Sequence, residues 1–449
     1  MRSDVVVVGA GAAGLVTALI LAEQGKRVTL VEKHAYLGGR AMEHRHRGHQ
    51  IGLGSHLVED PGDSLTRVCE LVGVTLTHSE RSDAMPFWDR DRWKPIQDLY
   101  PGSAKQGLKR CIQALTETGF DELDTLDHLP LREWMARYTS DEGAYTVWEA
   151  ISILEQITDK WYDHSASENL YVRKMHYERK RTAGYSFWPI GGWEKLWKQM
   201  AAALTARGGE LRLSTPVRRV LVERGAVTGV LLRDGEVIEA DAVVVGAPVW
   251  NAPALFDDGV LPHNLVQRMR MLGANRNKGC WLGYWIAANE PVIARSEREM
   301  ASFQATPRTG LGGFTLNFTG YDPGVSPPGE YLTCVGAAFD ATEHYGDKAW
   351  LDRKFHEFWL DIEDMLPAAK GALWTKKHLV TTYGVVNKPG LVGAVRPDAR
   401  VREVDGLFLT GDTTRSRGIG IDKAARSGIT TAEAVLGARL PFFAGTVRY

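Results

Sequence analysis

The chain opens with an apolar segment whose periodicity changes within a few residues. Four consecutive valines, Val5–Val8, form a continuous apolar run, which is typical of a strand buried on both faces of a parallel sheet. A glycine-rich stretch follows, and residues 15–22 are apolar over a length that suits a helix. A second apolar run, residues 28–31, ends at the acidic Glu32. The pattern predicts a strand, a tight turn, a helix and a second strand.

The turn between the first strand and the helix has the spacing G-x-G-x-x-G, formed by Gly9, Gly11 and Gly14. The first glycine permits the tight turn, the second lets a pyrophosphate approach the backbone, and the third lets helix and strand pack closely. The helix N-terminus offers unpaired N–H groups to phosphate, and Glu32 is placed to bind a ribose hydroxyl. The segment therefore predicts a dinucleotide site. Two neighbouring residues are assigned to the same site: Ala13 and Lys33.

Two later parts of the chain have the apolar patterning of short strands. Apolar and alternating runs between residues 210 and 247, separated by turn residues such as Arg224-Gly225 and Asp234-Gly235, predict a β-meander. Near the end, a short apolar strand runs into Gly411-Asp412, and a glycine-rich loop then leads into a helical pattern. Between these parts lie segments too long to be loops, which must form structure of their own.

Composition narrows the class of protein. The formal net charge of −1 over 449 residues gives no basic surplus for binding nucleic acid. The sequence has no uncharged apolar run of eighteen residues, so we do not expect a membrane-spanning helix. Because the first strand begins near residue 4, no leader peptide is expected. The four cysteines are widely scattered, which is typical of a reduced, cytoplasmic protein. Peripheral membrane contact and oligomeric state stay open.

We expect no metal site. The run His44-Arg-His-Arg-Gly-His49 places two histidines on one face of a strand, but it lacks a carboxylate or cysteine partner. The basic run of residues 173–181 is expected to be a solvated surface, with anion binding as the alternative.

The segment after Glu32 is similar to one family. Its pattern E-K-x-x-x-x-G-G-R, ending at Gly39 and Arg40, resembles the flavoprotein group that contains amine oxidases, protoporphyrinogen oxidases and phytoene desaturases. The resemblance implies that Gly39 runs beside the pyrophosphate and ribityl chain of FAD and that Arg40 lies close to the isoalloxazine. It also implies that the loop after them approaches the flavin, through Gly54, Ser55 and His56.

The C-terminal pattern resembles the second flavin motif of the same family. The resemblance implies that Gly411-Asp412 binds the ribityl–phosphate part of FAD and that Gly420-Ile421 begins a helix aimed at the pyrimidine edge of the flavin. In the meander it implies that Val217, after Pro216, contacts the adenine through its backbone. The sequence departs from many relatives at Asp422 and Lys423.

The resemblance implies an α/β fold in which a discontinuous Rossmann-like FAD-binding domain carries a mixed α+β substrate-binding domain. The FAD-binding domain is expected at residues 1–57, 190–250 and 391–449, and the substrate-binding domain at 58–189 and 251–390. An aromatic-Pro-x-Gly-Gly stretch at residues 188–192 places the chain nearer to the phytoene desaturase-like branch than to the amine oxidases.

The expected activity is dehydrogenation or desaturation of a C–C bond in an apolar or cyclic substrate by hydride transfer to flavin N5, with oxygen or a quinone as the unidentified electron acceptor. Amine oxidation, redox-neutral isomerisation and a non-catalytic FAD-binding scaffold are the alternatives. The candidate catalytic residues, each with a structural explanation as its alternative, are His56, Lys278, Asp422, Lys423 and Tyr383.

Overall fold

A computed structural model describes residues 2–54, 56–57, 63–80, 86–89, 91–95, 98, 102–156, 158, 160–180, 187–293, 300–340 and 346–445. The side chains of residues 103, 154–155, 340 and 381–383 are outside this description. Ser55, assigned to the flavin loop, and the side chain of Tyr383, a candidate catalytic group, therefore lie outside the described part of the protein.

The secondary structure follows the apolar patterning of the sequence. The helices are α1 (Ala12–Glu23), α2 (Ser64–Leu71), α3 (Gly102–Glu117), α4 (Phe120–Leu123), α5 (Leu131–Ala136), α6 (Glu142–Gln156), α7 (Ala166–Glu178), α8 (Gly192–Ala206), α9 (His263–Leu272), α10 (Phe318–Tyr321), α11 (Lys348–Met365) and α12 (Gly420–Leu436). The strands are β1 (Arg2–Val8), β2 (Val28–Val31), β3 (Glu43–His46), β4 (His49–Gly52), β5 (Pro86–Asp89), β6 (Arg92–Pro95), β7 (Glu210–Arg212), β8 (Val217–Glu223), β9 (Ala226–Leu232), β10 (Val237–Val245), β11 (Lys278–Ala288), β12 (Met300–Phe303), β13 (Gly313–Asn317), β14 (Tyr331–Asp340), β15 (Trp374–Val385) and β16 (Leu407–Leu409).

The first sheet has the strand order β7-β2-β1-β10-β9-β8, with β16 also paired to β10. Strands β7, β2, β1, β10 and β16 run parallel. Strand β9 pairs antiparallel with β10 and β8 pairs antiparallel with β9, which completes the predicted meander. Val6 and Val7 of β1 pair with valines of β10 and are fully buried, which explains the apolar run of this strand. Helices α1, α8 and α12 pack together beside this sheet. The fold is the expected α/β, Rossmann-like one.

The second sheet has the order β15-β11-β14-β13-β12-β5-β6. One face packs against α11, and the other contributes to the core that it shares with the first sheet. A separate helical cluster, α3 to α7, is built around buried tryptophans such as Trp134 and Trp148. In the described residues, no helix combines the length and apolarity needed to cross a membrane. The expected domain limits remain a prediction.

The basic run corrects one expectation. Arg173, Lys174 and His176 on α7 are each at most 6% exposed, so this part of the run is not a solvated surface. Lys174 Nζ donates to the carbonyl oxygens of Leu115 and Thr116, at 3.4 and 3.2 Å, near the end of α3. The sequence alone indicates an exposed segment because the partner of Lys174, the end of α3, is far away in the chain.

Glu43 makes the stability of the fold depend on pH. Its carboxylate accepts a hydrogen bond from Glu194 N, at 3.0 Å, in the first turn of α8, and burial raises its pKa from 4.5 to about 7. A raised pKa means that the contribution to stability is complete below pH 4.5 and is lost as the pH rises through 7. The loss amounts to about 3 kcal/mol.

We therefore expect Glu43→Gln to remove most of the fall in stability between pH 5 and pH 8, because an amide cannot ionise. Urea unfolding of both proteins at several pH values measures this. Parallel pH profiles for the two proteins would show that Glu43 is not the group responsible.

Candidate active site

A cavity of about 860 Å³ lies at the carboxyl ends of β1 and β2 and extends beneath the second sheet. It brings together every described residue to which the sequence assigned cofactor binding. These residues are Gly9, Gly11, Ala13, Gly14, Glu32, Lys33, Gly39, Arg40, Gly54, His56, Val217, Gly411, Asp412, Gly420 and Ile421. They come from far-separated parts of the sequence, and their assignment as cofactor ligands remains a prediction.

The glycine loop has the geometry of a phosphate cradle. Gly9 has φ +105°, which a side chain would strain, and a Cβ at Gly14 would overlap the carbonyl oxygen of Gly9. A Cβ at Gly11, in contrast, would have no atom within 4 Å and would project into open space. The loop thus leaves an open position beside the N-terminus of α1, and the residues present fit a dinucleotide pyrophosphate there.

Glu32 is held rigidly in the wall of the cavity. One carboxylate oxygen accepts from Ala10 N at 2.8 Å, and the other accepts from His34 N at 2.9 Å. Each oxygen retains a lone pair, so the carboxylate can still accept from a ribose hydroxyl. Lys33 and Val217 line the same end of the cavity. This end fits the adenosine half of a dinucleotide.

The double glycine brings a second segment against the cradle. Gly39, with φ +57°, would place a Cβ 3.3 Å from Gly11 Cα, so the two turns are in close contact. Arg40 forms an ion pair with Asp412, which comes from the C-terminal motif. A Cβ at Gly54 would lie 2.6 Å from the carbonyl oxygen of Arg40. The glycines therefore allow three loops to meet at one point in the cavity wall.

Helix α12 separates the two candidates Asp422 and Lys423. Asp422 is 1% exposed and accepts from Leu65 N, at 3.4 Å, in the first turn of α2; it is not among the residues that line the cavity. Lys423, one residue on and about 100° around the helix, lines the cavity. Burial and the charge of Arg396 lower the pKa of Lys423 to about 8, although Glu168 acts in the opposite direction. Asp422 thus contacts α2, whereas the neighbouring candidate Lys423 faces the cavity.

His56, a candidate catalytic residue, lines the cavity. Its ring is surrounded by the rings of Trp285, Phe318 and His378, at centroid distances of 5.5, 5.3 and 5.9 Å. Trp193 Nε1 donates to its carbonyl oxygen at 3.2 Å. Desolvation, with a smaller effect of His378, lowers the pKa of His56 to about 3. The ring is therefore neutral at physiological pH.

Lys278 does not face the cavity. Its Nζ lies 3.4 Å from Asn275 Oδ1 and 5.4 Å from the centre of the Trp250 ring. Side chains alternate along β11, so Lys278 is on the face opposite to Trp281, which does line the cavity. The candidate catalytic residue Lys278 is therefore not among the described residues that line the cavity. Tyr383 belongs to β15 at a register shift against β11, and its side chain is outside the described residues.

The roof of the cavity was not identified from the sequence. The second sheet presents one face to it, and the residues on that face are Trp281, Met300, Phe314, Leu316, His378 and Val380. Gly283 and Gly336 leave room for the Trp281 indole, because a Cβ at Gly336 would overlap that ring. The alternation of side chains along β11 and β13 divides each strand into two faces, but the sequence does not show which of the two faces lines the cavity.

His378 is fixed in one tautomer. Its Nε2 donates to the carbonyl oxygen of Leu53 at 2.8 Å, so Nδ1 is left to accept from the Cys334 thiol, whose Sγ lies 3.8 Å away. Nitrogen or sulfur atoms of His56, Cys334 and His378 all lie within 4.8 Å of one another. The histidines of residues 44–49 do not belong to this group, and His49 is paired with Glu330 instead. Burial raises the pKa of the Cys334 thiol, which is therefore protonated.

A buried network of charges supports the polar end of the cavity. Arg417 pairs with Glu168 at 2.9 Å and with Asp127 at 2.8 Å, and Lys423 Nζ lies 3.7 Å from the other oxygen of Glu168. Burial raises the pKa of Glu168, but Lys423 and Arg417 more than offset this, so it stays below its usual range. The residues of this end are Gln156, Thr158, His176, Asn387 and Lys423.

Comparison with known proteins agrees with this geometry. A 4,4'-diapophytoene desaturase from Methylomonas sp is 22% identical over 59% of this chain and 58% of its own length. The chain thus spans little more than half of the first curated relatives that it matches. A hydroxyneurosporene desaturase from Cereibacter sphaeroides is 24% identical over 96% of this chain and 97% of its own length.

The fold also matches solved structures. An oxidoreductase from Methanosarcina mazei superposes with a TM-score of 0.78 at 18% identity, covering 97% of this chain and 100% of the other. The family model described as flavin-containing amine oxidoreductase matches residues 12–436, which includes helix α1, the roof and the C-terminal motif. The chain therefore belongs to the flavin-containing amine oxidoreductase family.

Proposed function

We propose that this FAD-dependent oxidoreductase removes two hydrogens from a C–C bond of an apolar or cyclic substrate. The observation that carries the proposal is the continuity of one cavity from the glycine cradle of the first sheet to the apolar roof of the second. Carotenoid desaturases among the relatives support a substrate of this class. That the protein is a flavin-dependent oxidoreductase follows from its membership of the family.

The cofactor is FAD, which supplies a hydride acceptor at flavin N5. In the proposed arrangement the glycine loop and α1 bind the pyrophosphate, and Glu32 binds the adenosine ribose. Arg40, Asp412 and the N-terminus of α12 then surround the flavin end. The positive end of that helix stabilises negative charge on the ring system.

The roof residues position the substrate. Trp281, Phe314, Leu316 and Val380 offer a dry, apolar surface that holds a carbon skeleton in one orientation and excludes water from the reacting bond. His56 is the proposed group for the second hydrogen, as a neutral base or as a positioning residue. It is the described titratable side chain that lies between this roof and the flavin loop.

For His56, we expect His56→Ala to retain FAD and to slow anaerobic flavin reduction by about 100-fold or more. Because the low pKa keeps the ring neutral, the ratio of wild-type to variant rates should be constant from pH 5 to pH 8. Stopped-flow absorbance measures both. His263→Ala, at an exposed position on α9, is the matched control. A ratio that changes near pH 6.5 would contradict a neutral ring, and an unchanged rate would remove His56 from the mechanism.

The experiment that tests the function is an anaerobic screen of flavin bleaching with isoprenoid compounds, cyclic ketones and amines, followed by the mass of each product. Loss of two hydrogens from a carbon skeleton supports the proposal. Bleaching by amines alone would support amine oxidation instead. Turnover only by pre-reduced enzyme without a mass change would identify an isomerase, and FAD binding without bleaching by any compound would favour a scaffold.

A further inference from the structure

Besides the end that fits adenosine, the cavity has two chemically different regions, the apolar roof and a polar end. At the roof, the second sheet supplies indole, phenyl and aliphatic side chains, including Trp281, Phe314 and Leu316. At the other end, α12 and the region around α6 and α7 supply amide, hydroxyl, imidazole and ammonium groups: Gln156, Thr158, His176 and Lys423. An apolar ligand satisfies the roof only.

Lys423 is the unusual group at the polar end. The side chain is 4% exposed and lines the cavity. Among the residues that the structure describes, its Nζ makes no hydrogen bond; its nearest counter-charge, Glu168 Oε2, is 3.7 Å away and is itself a buried oxygen without a hydrogen-bond partner. A buried ammonium group with unused donors is costly unless a ligand supplies acceptors.

The neighbouring cation does not share this property. Arg396, also buried beside the cavity, donates to the carbonyl oxygens of Leu391 and Asp412 at 2.9 and 3.0 Å and to Asn387 Oδ1 at 2.7 Å. Arg417 is held by carboxylates. The donors available to a ligand at this end therefore come from Lys423, and the ligand atom that suits them is an oxygen acceptor.

We propose that the polar end, formed by Lys423 with Gln156, Thr158 and His176, binds a carbonyl or carboxylate oxygen of the substrate while its apolar chain lies along the roof. This rests on the proposed function and narrows its substrate class from apolar or cyclic molecules in general to those that carry an oxygen at one end of an apolar chain. A pure hydrocarbon leaves the ammonium group desolvated and unbonded. An oxygen-bearing end also fixes the direction in which the chain enters, and so selects the bond that reaches the flavin.

The test is a binding measurement on the FAD-loaded protein with three compounds that share one chain: farnesoic acid, methyl farnesoate and farnesene. Perturbation of the flavin spectrum and quenching of tryptophan fluorescence report binding without turnover. We expect farnesoic acid to bind the wild type at least tenfold more tightly than farnesene, with the ester in between. Lys423→Met should reduce the preference for the acid to less than threefold, while farnesene binds as before.

Controls separate this interaction from folding and from the function itself. Lys278→Met removes a lysine that does not line the cavity, and it should keep the wild-type preference. Because Lys423→Met leaves Glu168 with fewer partners, the double variant Lys423→Met/Glu168→Gln is measured as well and should show the same loss of preference.

Equal binding of acid and hydrocarbon by the wild type overturns the proposal, as does a preference that survives in Lys423→Met or the absence of binding by all three compounds. A flavin spectrum altered in Lys423→Met with the preference intact would mean that Lys423 serves the flavin instead. If the protein never retains FAD, the proposed function is contradicted. Tryptophan quenching still measures ligand binding at the polar end in that case, so the two proposals are tested separately.

Discussion

Gly11→Val is expected to give a folded but colourless protein. Gly11 has ordinary dihedrals, φ −71° and ψ 175°, and a Cβ there meets no atom within 4 Å, so the new side chain is accommodated without strain. The space that it fills is the cavity beside the N-terminus of α1, where the pyrophosphate must approach the backbone. We expect FAD retention to fall at least 100-fold, measured by absorbance after gel filtration and by titration with FAD.

Gly371 is the matched control, because a Cβ there also meets no atom within 4 Å but the residue does not line the cavity. Gly371 is exposed, is not at a positive φ and also has open space around a Cβ, so Gly371→Val should stay yellow. Circular dichroism and the thermal midpoint of the apoproteins establish that both variants fold. A fully loaded Gly11→Val protein would refute the assignment of the cradle.

Asp63→Ala is expected to destabilise the protein by about 3–5 kcal/mol, because it removes the carboxylate partner of a fully buried arginine. Asp63 and Arg426 are both 0% exposed and form an ion pair between the start of α2 and the middle of α12. The guanidinium keeps a hydrogen bond to the carbonyl oxygen of Arg417, at 3.1 Å, which does not compensate its charge. Urea unfolding by circular dichroism measures the loss.

The double variant Asp63→Ala/Arg426→Met is the informative partner of this experiment. Replacing the arginine by a flexible apolar side chain removes the buried charge that has lost its pairing with Asp63, so most of the lost stability should return. A single variant that loses less than about 1 kcal/mol, or a double variant no better than the single one, would mean that the pair contributes little.

The parts of the site that could be predicted from the sequence are those in which a short segment determines its own geometry. The glycine spacing places a turn, a helix N-terminus and an acid because each follows from local backbone preferences. The structure accordingly puts Gly11, Glu32 and Arg40 in one cavity wall. The position of His56 followed from the same loop, but its lowered pKa did not, because the rings around it come from distant elements.

The remaining parts depend on how separate elements pack. Lys278 and Trp281 differ by three positions on one strand, and only the packing of α11 on one face decides which of them meets the cavity. Asp422 and Lys423 are adjacent, yet α2 occupies one side of the helix and the cavity the other. Lys174 was assigned to a basic surface, but it is buried and donates to carbonyl oxygens more than fifty positions away in the chain.

Strand β16 and helix α12 have a consequence for how the protein is made. Within the described residues, strand β16 joins the first sheet by pairing with β10, and α12 packs against α1. The earliest segment of the site is therefore completed by one of the latest. Nascent chains held on the ribosome before residue 407 emerges have the cradle but lack its opposite wall. Such long-range closure is slow compared with local folding. Acquisition of the yellow chromophore should therefore follow release of the chain, and stalled chains should be pale.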